Sequence, residues 1–363
     1  MKIGIYTFFR INYGACLQAF SLQRTLKELR PNDEVLMVDY MSRSLEAKTK
    51  PFHRKSPNRL YDLVWRFCTL LRYRQIKQRY DAFRQFPNKY FNLTRRYFTF
   101  EELVADPPQL DIHLSGSDQV FNPKRRLRDI YFLNFDVNGG RKVAYAPSFG
   151  VSKFTEEEKA YIARCAKDFD TLNCRESDGA ALLSELTGRN VPVVLDPVFL
   201  TPAETWRTIE VEPARKERYV FIYCLKGMDR LLKLAKQLPA PYNGYKLVAL
   251  TANDLRFYRG CKQVFDAGPA ELVGLIDHAE LVLTDSFHGT AFSVLLQKNF
   301  YTYISRPEVS SRITSLLARL ALEDHIITGK NILPKDIVQH DYQAELKLLT
   351  AESLNYLTQA IEG

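Results

Sequence analysis

The sequence predicts an α/β protein built from two Rossmann-like domains facing a cleft. Three observations lead there. The chain has 363 residues, more than one hydrophobic core usually serves. It opens on a β-α-β pattern, which favours a parallel sheet with a right-handed crossover. Two alternating strand–helix series are separated by a proline-bearing, mixed-charge stretch from Thr201 to Glu217.

In the first series, Lys2 to Phe8 is a short apolar strand and Asn12-Tyr13-Gly14 turns the chain. Leu17, Phe20 or Ser21, Leu22, Leu26 and Leu29 then follow helical spacing over Ala15 to Leu29. Glu34 to Tyr40 is the second strand. Residues 42–100 break the rhythm with Lys, Arg and aromatic residues. Within them, Arg59 to Phe86 reads as helical, with Leu60, Leu63, Val64, Phe67, Leu70, Leu71 and Tyr80 on one side. Strands resume at Asp111 to Leu114, Lys142 to Ala146, Thr171 to Cys174 and Val191 to Leu195, with helices at Glu156 to Lys167 and Asp178 to Leu186. In the second series, strands at Tyr219 to Leu225, Lys246 to Thr251, Gln263 to Asp266, Leu281 to Thr284 and Phe300 to Ile304 are expected. Helices at Asp229 to Gln237, Ala270 to His278, Thr290 to Gln297 and Ser311 to Leu320 alternate with them, and Tyr342 to Ile361 closes the chain. The expected organisation is therefore a first domain over 1–200 with a basic helical insert at about 42–100. A linker over 201–217, a second domain over 218–335 and a closing helix over 336–363 complete it.

No basic leader, long apolar run or small-residue cleavage site opens the chain, and no stretch of about 18 apolar residues occurs. A cytoplasmic protein is expected. The six cysteines form no CxxC pair, and neither they nor the histidines show metal-ligand spacing, so free thiols and no metal are expected. The net charge of +9 is concentrated: Ser42 to Tyr97 carries fifteen Lys or Arg against three acids. Such a patch attracts phosphates, acidic headgroups or nucleic acid.

Ligands of open α/β sheets bind outside the carboxyl ends of the strands. Polar residues just after each strand are thus the candidates. After Leu281 to Thr284 come Asp285-Ser286-Phe287-His288-Gly289-Thr290. A helix from about Gly289, capped by Asp285 or Ser286, would offer free N–H groups to an anion. His288 at its mouth could serve as acid or base, or merely cap and pack. Arg175, after another strand, could fork onto a carboxylate or phosphate, or pair with Glu176 or Asp178. Ser117, Asp118 and Gln119 follow Gly116 in a turn that is either structural or hydrogen-bonding toward a ligand. Asn12, Tyr13 and Gly14 occupy the place of a phosphate loop without its G-x-G-x-x-G pattern. Arg306 and Arg312 would add positive charge to the cleft or lie solvated.

Six stretches taken together resemble the polysaccharide pyruvyl transferase family. They are Asn12-Tyr13-Gly14-Ala15 with Leu17-Gln18-Ala19, Gly116 to Asn122, Tyr145 to Gly150 with Ser148, Arg175-Glu176-Ser177, Leu195 to Leu200, and Thr284 to Phe292. The resemblance implies a fold similar to the glycosyltransferase B type, phosphoenolpyruvate as donor and a pair of sugar hydroxyls as acceptor, with no cofactor. It implies that His288 and Arg175 match the family's catalytic histidine and donor-binding arginine. The family's lysine after the histidine helix has no match here, only Arg306 and Arg312. In this reading protonated His288 makes the donor electrophilic, and the arginines and the helix start hold its negative charge. The acceptor is expected to be a sugar of a bacterial surface polysaccharide or of its lipid-linked precursor, with residues 59–86 touching the inner membrane face or packing on their own domain. A nucleotide-sugar glycosyltransferase of the same architecture is the alternative. No recognised nucleic-acid motif accompanies the basic segment, so nucleic acid is not an expected partner.

Overall fold

The computed structural model describes residues 1–53, 56, 58–124, 128–214, 217–251, 256–305, 310–329 and 340–363. In the first half, five strands form one sheet: β1 (Lys2–Tyr6), β2 (Glu34–Tyr40), β3 (Leu93–Tyr97), β4 (Ile112–Ser115) and β5 (Arg141–Ala144), in the order β3-β2-β1-β4-β5. Every ladder is parallel. Ile3 sits opposite both Val35 and Ile112, so β1 is central, and Ile3 and Ile5 are fully buried. A strand covered on both faces needs such apolar residues throughout.

The second half carries β6 (Tyr219–Cys224), β7 (Lys246–Thr251), β8 (Lys262–Val264), β9 (Leu281–Thr284), β10 (Phe300–Ile304) and β11 (Ile326–Thr328). Their order is β11-β10-β9-β6-β7-β8, again all parallel. The two-domain α/β architecture expected from the sequence is the one observed.

Local differences have physical causes. The expected strands at 171–174 and 191–195 are reduced to two isolated bridges, Val143 with Thr171 and Cys174 with Val193. Pro192 is the second residue of the second segment and has no N–H for a ladder. β3 lies inside the basic segment that reads as an insert, at the edge of the first sheet. Its sequence hides it, because Arg95 and Arg96 are exposed charges of the kind that protect sheet edges. β11 is only three residues long and carries little pattern.

Four helices lie between β1 and β3 in the chain: α1 (Tyr13–Leu29) before β2, and α2 (Arg43–Lys48), α3 (Arg59–Leu71) and α4 (Tyr73–Tyr90) after it. The turn expected at Asn12 to Gly14 is the start of α1, where the Asn12 side chain accepts a 3.0 Å bond from the Ala15 N–H. The single helix expected over 59–86 breaks at Arg72, whose φ of −112° and ψ of 21° end α3 and start α4.

The linker is anchored. It holds a helix, Ala203–Ile209, whose Trp206 is fully buried between Phe20 of the first half and Phe292 of the second. The closing helix, Gln343–Glu362, returns to the first half: the Ser353 hydroxyl accepts from the Leu195 N–H at 2.9 Å and Tyr356 donates to the Leu172 carbonyl at 2.8 Å. One core cluster therefore runs through both sheets. All six cysteines are free thiols.

Candidate functional site

The helix after β9 starts three residues earlier than the sequence suggests. It spans Phe287–Leu295, with Ser286 as its N-cap accepting from the Gly289 N–H at 3.4 Å. His288 thus lies in the first helical turn, not before it. It is buried, with its side chain 8% exposed, and faces the start of α1. Gly14 makes this approach possible: a Cβ at position 14 would lie 1.9 Å from His288 Nδ1. Gly289 does the same on the other side, since a Cβ there would meet Thr284 Oγ1 at 2.3 Å.

Asp196 is the hub of the cluster. Its carboxylate is buried, and its Oδ2 accepts from the Arg175 guanidinium and, at 3.0 Å, from the Ser117 hydroxyl. His288 Nε2 lies 3.7 Å from the same oxygen and has no hydrogen-bond partner among the described residues. Arg175 NH2 lies 3.5 Å from Asp118, and Arg312 NH1 lies 3.9 Å from Asp118. The Phe287 ring sits beneath both guanidinium groups, 4.4 Å from that of Arg175 and 5.8 Å from that of Arg312.

These charges set the protonation of the imidazole. Burial holds His288 below the ordinary histidine range; Asp196 and Asp118 pull it up, while Arg175 and Arg312 push it down. The helix N-terminus acts in the lowering direction too. Burial opposes the charge of Arg175, but Asp196, Asp118 and Glu176 outweigh it and hold its pKa above the ordinary value.

The neighbouring loops are braced from beneath. Asp118 has φ of 70° and ψ of −169°, a conformation otherwise almost confined to glycine. It persists because its backbone bridges to Pro147 and its carboxylate faces two arginines. Glu176 Oε1 accepts from the Ser148 hydroxyl at 2.9 Å and the Phe149 N–H at 2.8 Å. Ser148 therefore braces a loop from a fully buried position. Gln119 supports the same loop, its side chain lying where a Cβ on Gly150 would fall. Asp285 accepts from the N–H groups of Leu225, Lys226 and Gly227, so it orders the turn after β6 and leaves the cap to Ser286. Tyr13 donates to the Ala267 carbonyl at 2.9 Å and ties the two halves together.

A cavity of about 530 Å³ opens beside the cluster, lined among others by Arg10, Asn12, Tyr40, Lys48 and Asp118. That size suits a small-molecule site. A second cavity of about 340 Å³ shares Arg10 and Ile11 and adds Lys50, Tyr80, Arg84 and Arg96. His288 is not in either lining; Gly14, between Asn12 and Ala15, separates it from the larger one.

The structure thus gathers Gly14, Ser117, Asp118, Arg175, Ser286, His288, Gly289 and Arg312 around one point, with Asn12 on the adjoining cavity. Arg306 lies outside the described residues. Asp196 and Glu176 stand out only in the structure, although Asp196 directly follows the expected strand at 191–195 and caps the turn at Pro197–Leu200. Away from this point, two groups of potential metal ligands among the described residues are already engaged. His340 bonds Asp324 at 2.6 Å beside His325, and His278 bonds Glu210 at 3.0 Å beside Asp277.

The sequence profile described as polysaccharide pyruvyl transferase matches residues 12–306, most of the chain and every residue of this cluster except Arg312. The chain belongs to the polysaccharide pyruvyl transferase family. This makes it a transferase whose acceptor is a saccharide. No curated protein matches it in sequence. Among solved structures it is similar to a protein from Listeria monocytogenes named as a candidate UDP-N-acetylglucosamine 2-epimerase, at 9% identity and a TM-score of 0.54, covering 99% of this chain and 90% of that one. It is also similar to the UDP-N-acetylglucosamine 2-epimerase of Rickettsia bellii, at 11% identity and a TM-score of 0.52, with 100% and 97% covered. The S. aureus MnaA structure with UDP gives 12% identity and a TM-score of 0.52, with 99% and 90% covered. Those likenesses establish the fold: two Rossmann-like domains about a cleft, the arrangement of the glycosyltransferase B type.

Proposed function

We propose that the protein transfers a pyruvyl group from phosphoenolpyruvate to two hydroxyls of a lipid-linked saccharide, forming a ketal without a cofactor or resident metal. The observation that carries this reading is the meeting of His288 Nε2, Arg175 and Arg312 around the buried Asp196 and the half-buried Asp118. The donor bears a phosphate and a carboxylate, and two guanidinium groups are suited to such a charge.

The reaction balances as follows. His288 gives a proton to C3 of the donor, and a sugar hydroxyl adds to C2, returning its own proton to the imidazole. The C2–O bond to phosphate then breaks with its electron pair. The second hydroxyl closes on C2, and its proton leaves with phosphate. Arg175 and Arg312 stabilise the departing charge, where binding lowers the barrier. Asp196 holds Arg175 in place and favours the imidazolium.

Two outcomes follow. His288→Ala should keep the fold and lose turnover by about 10²- to 10⁴-fold, the usual worth of a general acid. Phosphate release from phosphoenolpyruvate with an acceptor checks this, and near wild-type turnover removes His288 from the reaction. The pH profile should also split. A required acid is lost as pH rises, and in the free enzyme the imidazole lies below its ordinary range. The fall in kcat/KM should therefore begin below that range. A bound anionic donor offsets the arginines and raises the imidazole, so kcat should fall only at higher pH. Coincident alkaline limbs would contradict the substrate-linked protonation.

A further inference from the structure

The expected apolar stripe of the basic segment exists, but it faces outward. Helix α3 is packed on the protein through Trp65 and Thr69, each 1% exposed. On the opposite side Leu60 is 72% exposed, Leu63 64%, Phe67 60%, Leu70 62% and Leu71 70%, with Val64 also exposed. At about 100° per residue these six side chains share one arc of roughly 120°. A monomer in water gains nothing by presenting its apolar face while burying a threonine.

Charge frames the stripe. Arg59 and Arg66 are exposed along one border of it, and Arg66 pairs with Asp62 at 2.9 Å. Arg74 and Lys77 are exposed on the following helix. Beyond the end of α3, Phe52 and Tyr73 stack at 5.6 Å and are both exposed. The surrounding segment, Ser42 to Tyr97, carries fifteen cations and three acids. An outward leucine and phenylalanine stripe, bordered by arginines whose stems are themselves apolar, matches the interface of a bilayer with anionic headgroups. A second copy would bring like charges together. A nucleic acid would leave the leucines without a partner.

We propose that α3 is a membrane-docking helix that lies in the surface of an anionic bilayer, with the apolar arc inserted and Arg59 and Arg66 at the headgroup level. Docking does not depend on the identity of the donor, so it can be tested apart from the ketal reaction. The full chain is floated with vesicles of phosphatidylglycerol and phosphatidylcholine, and with phosphatidylcholine alone, at rising salt. Wild type should float with the anionic vesicles and progressively less as salt screens the headgroups. Leu63→Glu/Phe67→Glu should lower the bound fraction at least about tenfold while leaving the melting temperature and turnover of a soluble acceptor unchanged, because both side chains are outside the core. Absence of flotation, equal flotation of variant and wild type, or preference for uncharged vesicles overturns the proposal. A concentration-dependent dimer abolished by the same substitutions assigns the face to a second copy instead.

Discussion

Gly14→Ala should reduce kcat/KM by about 10²-fold or more while the protein still folds. Alanine is the better helix former, and position 14 lies in the first turn of α1, so the backbone gains. The cost falls on the imidazole, because the new Cβ would sit 1.9 Å from His288 Nδ1. That ring is the far end of a side chain and must move. A displacement of roughly 1 Å in a reacting group costs about 10²-fold. The double variant Gly14→Ala/His288→Ala identifies the cause. If the glycine acts through the ring, it should be no slower than His288→Ala alone, as expected of residues that work as a unit. Additive losses would place the effect elsewhere.

Asp196→Ala should lower stability by about 3–5 kcal/mol, the cost of leaving a buried charge unpaired. Arg175 and Asp196 have side chains 2% and 0% exposed, so water cannot replace the lost carboxylate. The Ser117 hydroxyl loses its acceptor in the same step. Asp118 at 3.5 Å retains part of the compensation and places the effect toward the lower end. Urea unfolding followed by tryptophan fluorescence checks the value. Removing both partners, in Arg175→Ala/Asp196→Ala, should restore part of the loss, because the orphaned charge is then gone. A loss below about 1 kcal/mol for Asp196→Ala would mean that the hub carries little of the site's stability.

Particular residues show where the sequence is readable. Leu17, Leu22 and Leu26 mark a helix that is enclosed on nearly every side: Gly14 to Gln23, Thr25 and Leu26 of α1 are all buried. Continuous apolar runs such as Tyr219–Cys224 read as strands because both faces of a parallel sheet are covered. His288 and Arg175 are legible because His288 follows β9 and Arg175 follows a segment, 171–174, whose residues read as a strand. Local pattern could not show that they share one carboxylate 3.7 Å from the imidazole, since Asp196 is contributed by a third segment. Nor could it show which way α3 faces. Its leucine stripe is the usual signature of a buried face, and only the packing of Trp65 and Thr69 reverses it. Two helices start before their pattern shows it for a simple reason: Tyr13, Gly14, Phe287 and His288 carry no helix propensity of note, while the Asn12 and Ser286 caps decide where the turn begins.

The most direct measurement of the central claim is incubation of the protein with phosphoenolpyruvate and a panel of lipid-linked saccharides, following phosphate release and product mass together. Phosphate released in step with a pyruvyl mass gain on the saccharide, both lost in His288→Ala, is the expected result. A glycosyl mass gain from a nucleotide sugar, with phosphoenolpyruvate left intact, would contradict it.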